Sequence, residues 1–595
     1  MLEKSDIAAL VQEWLQLDQN DETRTEITAL LEQGSYEELK KRLGTRIAFG
    51  TAGLRSKMEG GFSRMNDLTV LQTSQGLAKY LLKMVHDAKE RGVVIGHDHR
   101  HHSENFARLT ATAFITQGFR VWYYHDYIHT PLVPYTVKQK KAAAGIMITA
   151  SHNPKQDNGY KVYWENACQI IPPHDKGIAE TILDNLTPWS WDYNLVDTSD
   201  LAAEPEGVID NYFKDLAELS RFRSDNEKST LKFTYTAMHG VGAPFAKRAF
   251  EVFGLPPFIT VDEQIKPDPD FPTVEFPNPE EGKGSLSLSI QTADRNNAHL
   301  IVANDPDADR LAIAEKINDE WKLFTGNQIG AVLGAACFEK AKASGIPIDK
   351  IAMVASTVSS KFLARMAEVE GFRFEEALTG FKWIGNKSMD LEKEGYHLAF
   401  AYEEAIGFTI GDLVKDKDGI SALAFFAEWA VQLNNRGLTV NQYLETLYAK
   451  YGYFVSENSY FICDDKQVIK TIFERIRYGH DQTQENLKSG IYAYPKQIAG
   501  VPVIGVRDLT VGYDSNTPDN KPTLPVSSSS EMITFRLKNN AVFTIRTSGT
   551  EPKIKYYSEL RGESEEQARK DLSQVVQAIG DDLVEYQQYD LVWRR

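Results

Sequence analysis

AAGIMITASHNP, residues 143–154, is an apolar run that ends in a polar cluster, and it decides the fold. The run has the length and composition of a buried β-strand. The same pattern recurs as HLIVANDPDADR at 299–310 and as HLAFAYEEAIG at 397–407. Stretches with helical spacing alternate with such runs, which predicts βαβ units with parallel strands. Because ligands of such sheets bind beyond the carboxyl ends of the strands, we expect the three clusters to meet in one crevice.

The domain organisation follows from these repeats and from the length of 595 residues, which exceeds what one hydrophobic core supports. We predict three similar α/β domains in tandem, with mixed, mainly parallel sheets, and a C-terminal α+β domain. The predicted boundaries are 1–212, 213–325, 326–451 and 452–595. Two polar amphipathic helices are expected in 1–45, ahead of the first core. Ser103 is expected to cap a helix that Gly118 ends.

Composition and charge exclude several classes of protein. The chain is 42% hydrophobic and 25% charged, as in ordinary globular proteins, and its three cysteines have no CxxC spacing. The net charge of −17 disfavours nucleic acid and anionic membranes as partners, and no run approaches membrane-spanning length. We therefore expect a cytoplasmic protein with small-molecule partners. A phosphate-bearing substrate would need a local basic pocket.

Ser151 is a candidate nucleophile because it follows an apolar strand and faces the expected crevice. A hydroxyl needs a base or a metal for this role, and His152 and Lys161 are candidate proton acceptors. The alternative interpretation is an ordinary serine in a turn. The GxSxG motif of serine hydrolases is absent, which argues against acyl transfer.

Asp305, Asp307 and Asp309 form a candidate metal site, because an extended backbone would place all three carboxylates on one side. A solvated acidic loop is the alternative. A calcium EF-hand is excluded, since Arg310 and Lys316 stand where glycine and glutamate are required. Magnesium fits better because it uses few protein ligands and shares phosphate oxygens. Arg310 either polarises a transferring phosphoryl group or neutralises the three aspartates.

Three further clusters carry polar groups, and each also has a purely structural interpretation. Glu403 and Glu404 end a strand, where carboxylates can accept hydrogen bonds from sugar hydroxyls. The RTSGTEPK turn at 546–553 has the composition of a phosphate cradle. GTAGLR at 50–55 lacks the Walker spacing, which argues against nucleotide binding. Lys417 is one more cation after the glutamate loop.

GTAGLR, TASHNP, DPDADR, YEEAIG and RTSGTEPK together resemble the motifs of the α-D-phosphohexomutase superfamily, in the same order and over nearly the whole chain. The resemblance implies four domains around a central cleft, with a phosphoserine loop, a magnesium loop, a sugar-recognition loop and a phosphate-binding loop. The implied catalytic residues are Ser151, His152, Lys161 and Arg310, and the implied metal ligands are Ser151, Asp305, Asp307 and Asp309. The implied substrate-binding residues are Arg55, Thr379, Gly380, Lys382, Glu403, Ala405, Lys417, Arg546, Ser548, Gly549 and Thr550.

Ala405 departs from the family pattern, because glucose-preferring members usually carry serine at this position. LTGFKWIG at 378–385 and YWENACQIIPPHDKG at 163–177 look closest to the eukaryotic phosphopentomutase-type branch. The resemblance thus implies an isomerase that interconverts ribose or deoxyribose 1-phosphate and 5-phosphate, and also glucose 1-phosphate and 6-phosphate. The alternatives are an enzyme that acts mainly as a phosphoglucomutase, a glucose 1,6-bisphosphate synthase and a metal-dependent phosphomonoesterase.

The resemblance also implies cofactors and partners. One Mg²⁺ per chain and an activating sugar bisphosphate of the glucose 1,6-bisphosphate type are expected. The chain is expected to be a monomer or a weak dimer. Because water would hydrolyse the phosphoserine, we expect the C-terminal domain to close over bound substrate.

Overall fold

The computed structural model describes residues 3–50, 53–480, 483–547 and 553–595. The chain forms two compact units, one of residues 1–354 with 380–440 and one of residues 355–379 with 441–595. Within the described ranges, no helix combines the length and the apolar character that crossing a membrane requires.

The N-terminal segment forms three helices, so the prediction of two is wrong. Gly34 adopts a left-handed φ of 68° and separates the second helix from the third. Trp14 and Phe62 pack edge to face with ring centroids 5.2 Å apart, in a small core of their own. The helices are α1 (Lys4–Leu17), α2 (Asp21–Glu32) and α3 (Tyr36–Leu43).

The first α/β domain has a six-stranded mixed sheet in the order β1-β5-β4-β2-β3-β6. β2 pairs in parallel with β3 and β4, whereas β5 is antiparallel to both β4 and β1. Its elements are β1 (Gly53–Lys57), α4 (Asp67–Met84), α5 (Ala88–Arg91), β2 (Val93–His97), α6 (Ser103–Thr116), β3 (Val121–Tyr123), α7 (Leu132–Lys140), β4 (Ala144–Ile148), β5 (Asp157–Trp164), α8 (His174–Leu183), α9 (Leu195–Thr198), β6 (Ala202–Ala203), α10 (Val208–Ala217) and α11 (Arg223–Asn226).

Helix α6 corrects one of the predicted caps. Ser103 is the first residue of α6, and its hydroxyl donates to Asp98 Oδ1 at 2.6 Å rather than capping the helix. Gly118, with a φ of 80°, follows the helix end as predicted. Ser103 therefore fastens α6 to the loop that follows β2.

The second α/β domain has a five-stranded sheet in the order β11-β10-β9-β7-β8. β7 is parallel to β8 and β9, and β10 is antiparallel to β9 and β11. Its elements are β7 (Phe233–Thr236), α12 (Ala243–Phe253), β8 (Ile259–Thr260), α13 (Ser287–Arg295), β9 (Leu300–Ala303), β10 (Ala312–Ile317) and β11 (Glu320–Leu323).

The next stretch alternates helices and strands in the same way. β14 and β15 form an antiparallel hairpin in which Glu403 faces Gly407. Asp418 caps α17 by accepting hydrogen bonds from the backbone N–H groups of Ile420 and Ser421. The elements are α14 (Gly326–Ala343), a 3-10 turn (Ile348–Lys350), β12 (Ile351–Ser356), α15 (Phe362–Glu370), β13 (Arg373–Ala377), α16 (Phe381–Lys393), β14 (His397–Glu403), β15 (Gly407–Ile410), α17 (Gly419–Asn435) and α18 (Val440–Tyr451).

The C-terminal part is an α+β arrangement, as predicted. Its antiparallel strands follow the order β17-β18-β20-β21-β22-β16-β23, and β19 pairs with β18. Residues of the strands and of helices α19 and α21 share one hydrophobic core. The elements are β16 (Tyr453–Ile462), α19 (Lys466–Tyr478), α20 (Thr483–Ser489), β17 (Gln497–Ile498), β18 (Val501–Asp508), β19 (Tyr513–Asp514), β20 (Met532–Leu537), β21 (Ala541–Thr547), β22 (Lys553–Gly562), α21 (Glu565–Ala578), a π-helical turn (Ile579–Val584) and β23 (Val592–Arg594).

Replacing Gly53 with alanine is expected to destabilise the first domain by roughly 2–4 kcal/mol. Gly53 has a φ of +141°, and an added Cβ would lie 1.7 Å from the carbonyl oxygen of Tyr160 in β5. Gly345→Ala is the matched control, since Gly345 also has a positive φ but nothing lies within 4 Å of its added Cβ. Thermal melting of both variants tests this, and equal losses would show that the contact with β5 is unimportant.

Candidate functional site

Ser151 lies in the loop between β4 and β5 and is 2% exposed. Its φ of 53° is left-handed, a conformation in which few residues other than glycine are found. Its backbone N–H donates to Thr149 Oγ1 at 2.9 Å. Its hydroxyl donates to Asp305 Oδ2 at 2.9 Å and lies 3.2 Å from His152 Nδ1. The predicted nucleophile, proton acceptor and metal site therefore meet at one hydroxyl.

Arg100 holds the Ser151 loop in place, and the sequence interpretation missed this residue. Its Nη2 donates to the carbonyl oxygens of Ser151 and Asn153, both at 2.7 Å. Its Nη1 donates to those of Pro154 at 2.9 Å and Asp157 at 3.2 Å. Its side chain is fully buried, like that of its ion-pair partner Asp98. The sequence feature that could have identified Arg100 is the polar HDHR at 97–100, at the end of the apolar run VVIG.

Asp305, Asp307 and Asp309 lie between β9 and β10 with one ligand atom of each within 4.8 Å of the others. A turn brings them together, with Ala308 at a φ of 52°, so the expected extended backbone is wrong. Burial, followed by the charges of its two neighbours, raises the pKa of Asp305 well above its usual value. Asp307 Oδ1 and Asp309 Oδ1 are buried, and no hydrogen bond reaches them from the described residues. These free, converging oxygens fit a divalent cation.

Three cations balance the three aspartates. Lys161 Nζ donates to Asp307 Oδ2 at 2.7 Å and to Asp309 Oδ2 at 3.0 Å. Lys417 Nζ lies 3.0 Å from Asp309 Oδ2, and Arg310 Nε lies 4.0 Å from Asp305 Oδ2. Burial lowers the pKa of Lys161, but the charges of Asp307 and Asp309 outweigh it, so the net shift is upward. Lys161 thus acts here as a charge partner of the carboxylates.

Thr130 joins the first domain to the aspartate loop. Its backbone N–H donates to the carbonyl oxygen of Asp307 at 3.0 Å, and its hydroxyl donates to Asp307 Oδ2 at 2.5 Å. Sequence reasoning did not identify Thr130 as a residue of the site. This contact fixes one carboxylate oxygen of Asp307 and leaves its Oδ1 free.

Gly419 allows the loop after β15 to approach the aspartates closely. A Cβ at this position would lie 2.3 Å from the carbonyl oxygen of Arg310 and 2.7 Å from Asn304 Nδ2. In the same loop, Asp416 accepts a hydrogen bond of 2.7 Å from the hydroxyl of Tyr163 in β5. These contacts place Lys417 beside Asp309, and sequence reasoning found neither of them.

Glu403 ends β14 and lies near Lys417. Burial raises the pKa of Glu403 to about 7, and the charge of Lys417 only partly opposes this shift. Ala405 and Ile406 follow in the turn, and the carbonyl oxygen of Ile406 accepts from the N–H of Leu311 at 3.1 Å. The sugar-recognition loop predicted from the sequence is thus fastened to the end of the aspartate loop.

The remaining predicted residues lie in the first unit, in the second unit or outside the described residues. Arg55 Nη1 donates to Asn153 Oδ1 at 3.2 Å, and Gly380, with a φ of 98°, precedes α16. Burial lowers the pKa of Lys382 in α16 to about 8. Thr379 and Arg546 belong to the second unit, where Arg546 Nη2 donates to the hydroxyl of Tyr557 at 3.1 Å. The predicted phosphate-cradle residues Ser548, Gly549 and Thr550 lie outside the described residues.

The raised pKa of Glu403 predicts a pH-dependent stability of the ligand-free protein. Because the folded pKa of about 7 exceeds the reference value of 4.5, the neutral carboxyl stabilises the fold fully below pH 4.5. This contribution is lost as pH rises through about 7. Glu403→Gln should therefore increase the free energy of unfolding at pH 8 by about 1–2 kcal/mol, which raises the melting midpoint. At pH 5 the melting midpoint should be nearly unchanged.

The control for this experiment is Glu320→Gln, the same substitution at an exposed residue of β11. An equal effect of Glu403→Gln at both pH values would contradict the assignment.

Family models of phosphoglucomutase/phosphomannomutase α/β/α domains I, II and III match residues 46–188, 210–318 and 325–451. Because these matches cover more than half of the chain, it belongs to the phosphoglucomutase/phosphomannomutase family, as the motifs indicated. Its class is therefore that of a mutase, an isomerase. Three tandem α/β domains followed by a sheet-rich C-terminal domain confirm the predicted fold.

Two human enzymes and one crystal structure show which members of the family this chain resembles. A human phosphopentomutase is 49% identical over 97% of this chain and 96% of its own length. A human glucose 1,6-bisphosphate synthase is 46% identical over 98% of this chain and 95% of its own length. The crystal structure of Paramecium parafusin, a phosphoglucomutase in its open form, matches with a TM-score of 0.67 at 18% identity. The matched region covers 91% of this chain and 95% of the Paramecium chain, which supports the shared fold.

Proposed function

We propose that the protein interconverts ribose or deoxyribose 1-phosphate and 5-phosphate, and also glucose 1-phosphate and 6-phosphate, through a phosphorylated Ser151. The observation that carries this proposal is the buried contact of 2.9 Å between Ser151 Oγ and Asp305 Oδ2. The name of the 49% identical relative, phosphopentomutase, supports the pentose substrate. Ala405 supports it too, since the serine hydroxyl typical of glucose-preferring members is missing.

Ser151, Asp305, Asp307 and Asp309 would hold one Mg²⁺. When bound, the ion supplies Lewis-acid stabilisation of the negative charge on the transferring phosphoryl group. The charges of this chain fit that role, because the three aspartates already face Lys161, Lys417 and Arg310. A phosphoserine of roughly two negative charges and a divalent cation can therefore enter together without unbalancing the site.

The phosphoryl transfer needs a group that moves one proton. As the bond from phosphorus to Ser151 Oγ breaks and the bond to the sugar hydroxyl forms, His152 Nδ1 takes the hydroxyl proton and delivers it to the serine oxygen. Burial keeps the pKa of His152 well below its usual value, so the ring is neutral and can accept. Lys161 is the less suitable acceptor because its ammonium already donates to two carboxylates.

The sugar bisphosphate formed in this step then turns end for end, and its other phosphoryl group passes to Ser151 Oγ. Glu403 is proposed to accept hydrogen bonds from the sugar hydroxyls. Arg546, with Ser548, Gly549 and Thr550, is proposed to hold the phosphate that does not react. Arg55, Lys382 and Lys417 would offset the charge of the substrate, with Thr379, Gly380 and Ala405 beside it.

We place the enzyme in the cytoplasm as a monomer or weak dimer, without nucleic-acid or membrane partners. A sugar bisphosphate of the glucose 1,6-bisphosphate type would serve as activator, because it can phosphorylate Ser151. The acidic net charge of −17 supports the absence of nucleic-acid partners.

The test compares initial rates on ribose 1-phosphate and glucose 1-phosphate, with and without a glucose 1,6-bisphosphate primer. We expect primer-dependent formation of the isomeric sugar phosphate, faster with the pentose. Accumulation of free phosphate in place of an isomer would overturn the proposal in favour of a phosphomonoesterase.

A synthase of glucose 1,6-bisphosphate is the second candidate, supported by the 46% identical relative. It would instead form bisphosphate from an acyl phosphate donor.

A further inference from the structure

Two arginines lie side by side on one face of the C-terminal sheet. β18 and β20 pair so that Arg507 faces Thr534 and Gly505 faces Arg536. Side chains alternate between the two faces of a sheet, and Val506 and Phe535 point into the hydrophobic core. Arg507 and Arg536 therefore share the opposite face as diagonal neighbours on adjacent strands.

The guanidinium groups of both arginines have unused donors. Arg507 is 6% exposed, and its Nη1 donates to Glu376 Oε2 at 2.8 Å. Its Nε and Nη2 are buried and have no hydrogen-bond partner in the part of the chain that the structure describes. Arg536 Nη1 is also buried without one, and no described carboxylate lies within ion-pairing distance of Arg536. Buried donors without acceptors cost free energy, so an acceptor is expected here.

The carboxylates nearby are already engaged. Glu376 is shared between Arg507 and Lys361 Nζ, the latter at 2.7 Å. Asp514 Oδ1 accepts the N–H of Asn516 at 3.0 Å. Burial, followed by the charge of Arg507, lowers the pKa of Arg536. The two guanidinium groups therefore repel each other, and a further anion between them would relieve this repulsion.

We propose that Arg507 and Arg536 form a binding site for a phosphate group, either free inorganic phosphate or the phosphate of a small phosphorylated metabolite. The planar fork of a guanidinium group donates two parallel hydrogen bonds, which matches the oxygens of a phosphate. Gly505, which faces Arg536, has no side chain, and the exposed Asn516 packs over it: an added Cβ would lie 2.8 Å from Asn516 Oδ1. Arg536 is partly exposed, so a ligand can enter from solvent.

This site is separate from the proposed substrate cradle. Arg546 faces Met532, and Met532 precedes Arg536 by four residues in β20. At about 3.3 Å per residue, the two positions are roughly 13 Å apart along the strand. Arg536 is therefore not part of the proposed cradle around Arg546, although Arg507 faces Thr534, only two residues from Met532.

Titration calorimetry of the full chain with inorganic phosphate, at constant ionic strength, tests the proposal. The parent protein is expected to show a binding component that Arg536→Gln loses, with affinity at least tenfold lower. Arg569→Gln, on the exposed face of α21, is the matched control and should retain it. Glycerol 2-phosphate, titrated in parallel, separates the two sources: binding of this ester alone indicates a metabolite, and binding of inorganic phosphate alone indicates the free ion. Identical isotherms for the parent and Arg536→Gln would overturn the site.

Hydrogen exchange of the parent protein gives a second test that requires no variant. Added phosphate should slow exchange in peptides covering 505–516 and 534–538, and unchanged exchange there would refute the proposal. The mutase rate of Arg536→Gln without added phosphate should equal that of the parent, because Arg536 has no part in the proposed catalytic cycle. Failure of this site and failure of the proposed function are thus distinguishable.

Discussion

Ser151→Ala is expected to reduce the interconversion of sugar phosphates by roughly 10⁵-fold or more, the order of effect seen when a covalent nucleophile is removed. The replacement deletes only the hydroxyl that donates to Asp305 and lies beside His152. It keeps the Cβ atom, so it adds no strain at the left-handed φ of this residue. We therefore expect the melting midpoint to change little while activity is lost.

The measurement combines initial rates with mass spectrometry after incubation with glucose 1,6-bisphosphate. The parent should gain one phosphoryl group on the peptide that contains Ser151, and the variant should gain none. Ser529→Ala, in an exposed loop, is the control and should keep both properties. A Ser151→Ala protein that turns over sugar phosphates at the parental rate would refute the mechanism.

Asp307→Asn should weaken binding of Mg²⁺ or Mn²⁺ by roughly 10²-fold or more, since even residues outside the ligand shell typically contribute 10–100-fold to metal affinity. Asp307 supplies one of the converging buried oxygens and also accepts from Thr130 and Lys161. The amide removes one negative charge and leaves the Lys161 ammonium with one carboxylate fewer. The rate with saturating substrate should fall by a similar factor.

Calorimetric titration with Mn²⁺ checks this independently of activity. Asp319→Asn is the matched control, because the Asp319 side chain is fully exposed and lies in the same domain. Its metal affinity should equal that of the parent. Parental affinity in Asp307→Asn would show that the three aspartates do not form the metal site.

The parts of the fold that the sequence predicted are those with a local signal. β4, β9 and β14 were recognised because each is a short apolar run that ends at a polar cluster. The number of N-terminal helices was missed, because the left-handed Gly34 interrupts a pattern that is amphipathic on both sides. The Ser103 hydroxyl was assigned to a cap, whereas its acceptor is Asp98, a buried carboxylate that only the tertiary structure brings near.

In the site, too, the residues with a local sequence signal were predicted and those that depend on tertiary contacts were not. Ser151 and the three aspartates were identified from local sequence, because their chemistry is concentrated in a few residues. Arg100 and Thr130 were not, since they act through backbone carbonyls and one carboxylate of distant segments. Gly419 was missed because its significance is the absence of a side chain, which becomes visible only against the Arg310 carbonyl.

The contact that Gly419 makes with the aspartate loop has a consequence for biosynthesis. The ribosome makes Asp309 more than a hundred residues before Lys417, so the nascent chain carries the three acidic groups before one of their counterions exists. Contacts of such large sequence separation form late and slowly. A chain released between Arg310 and Lys417 would keep Lys161 and Arg310 but lack the third cation that balances the aspartates. Its aspartate loop should therefore be less well ordered than that of the full chain.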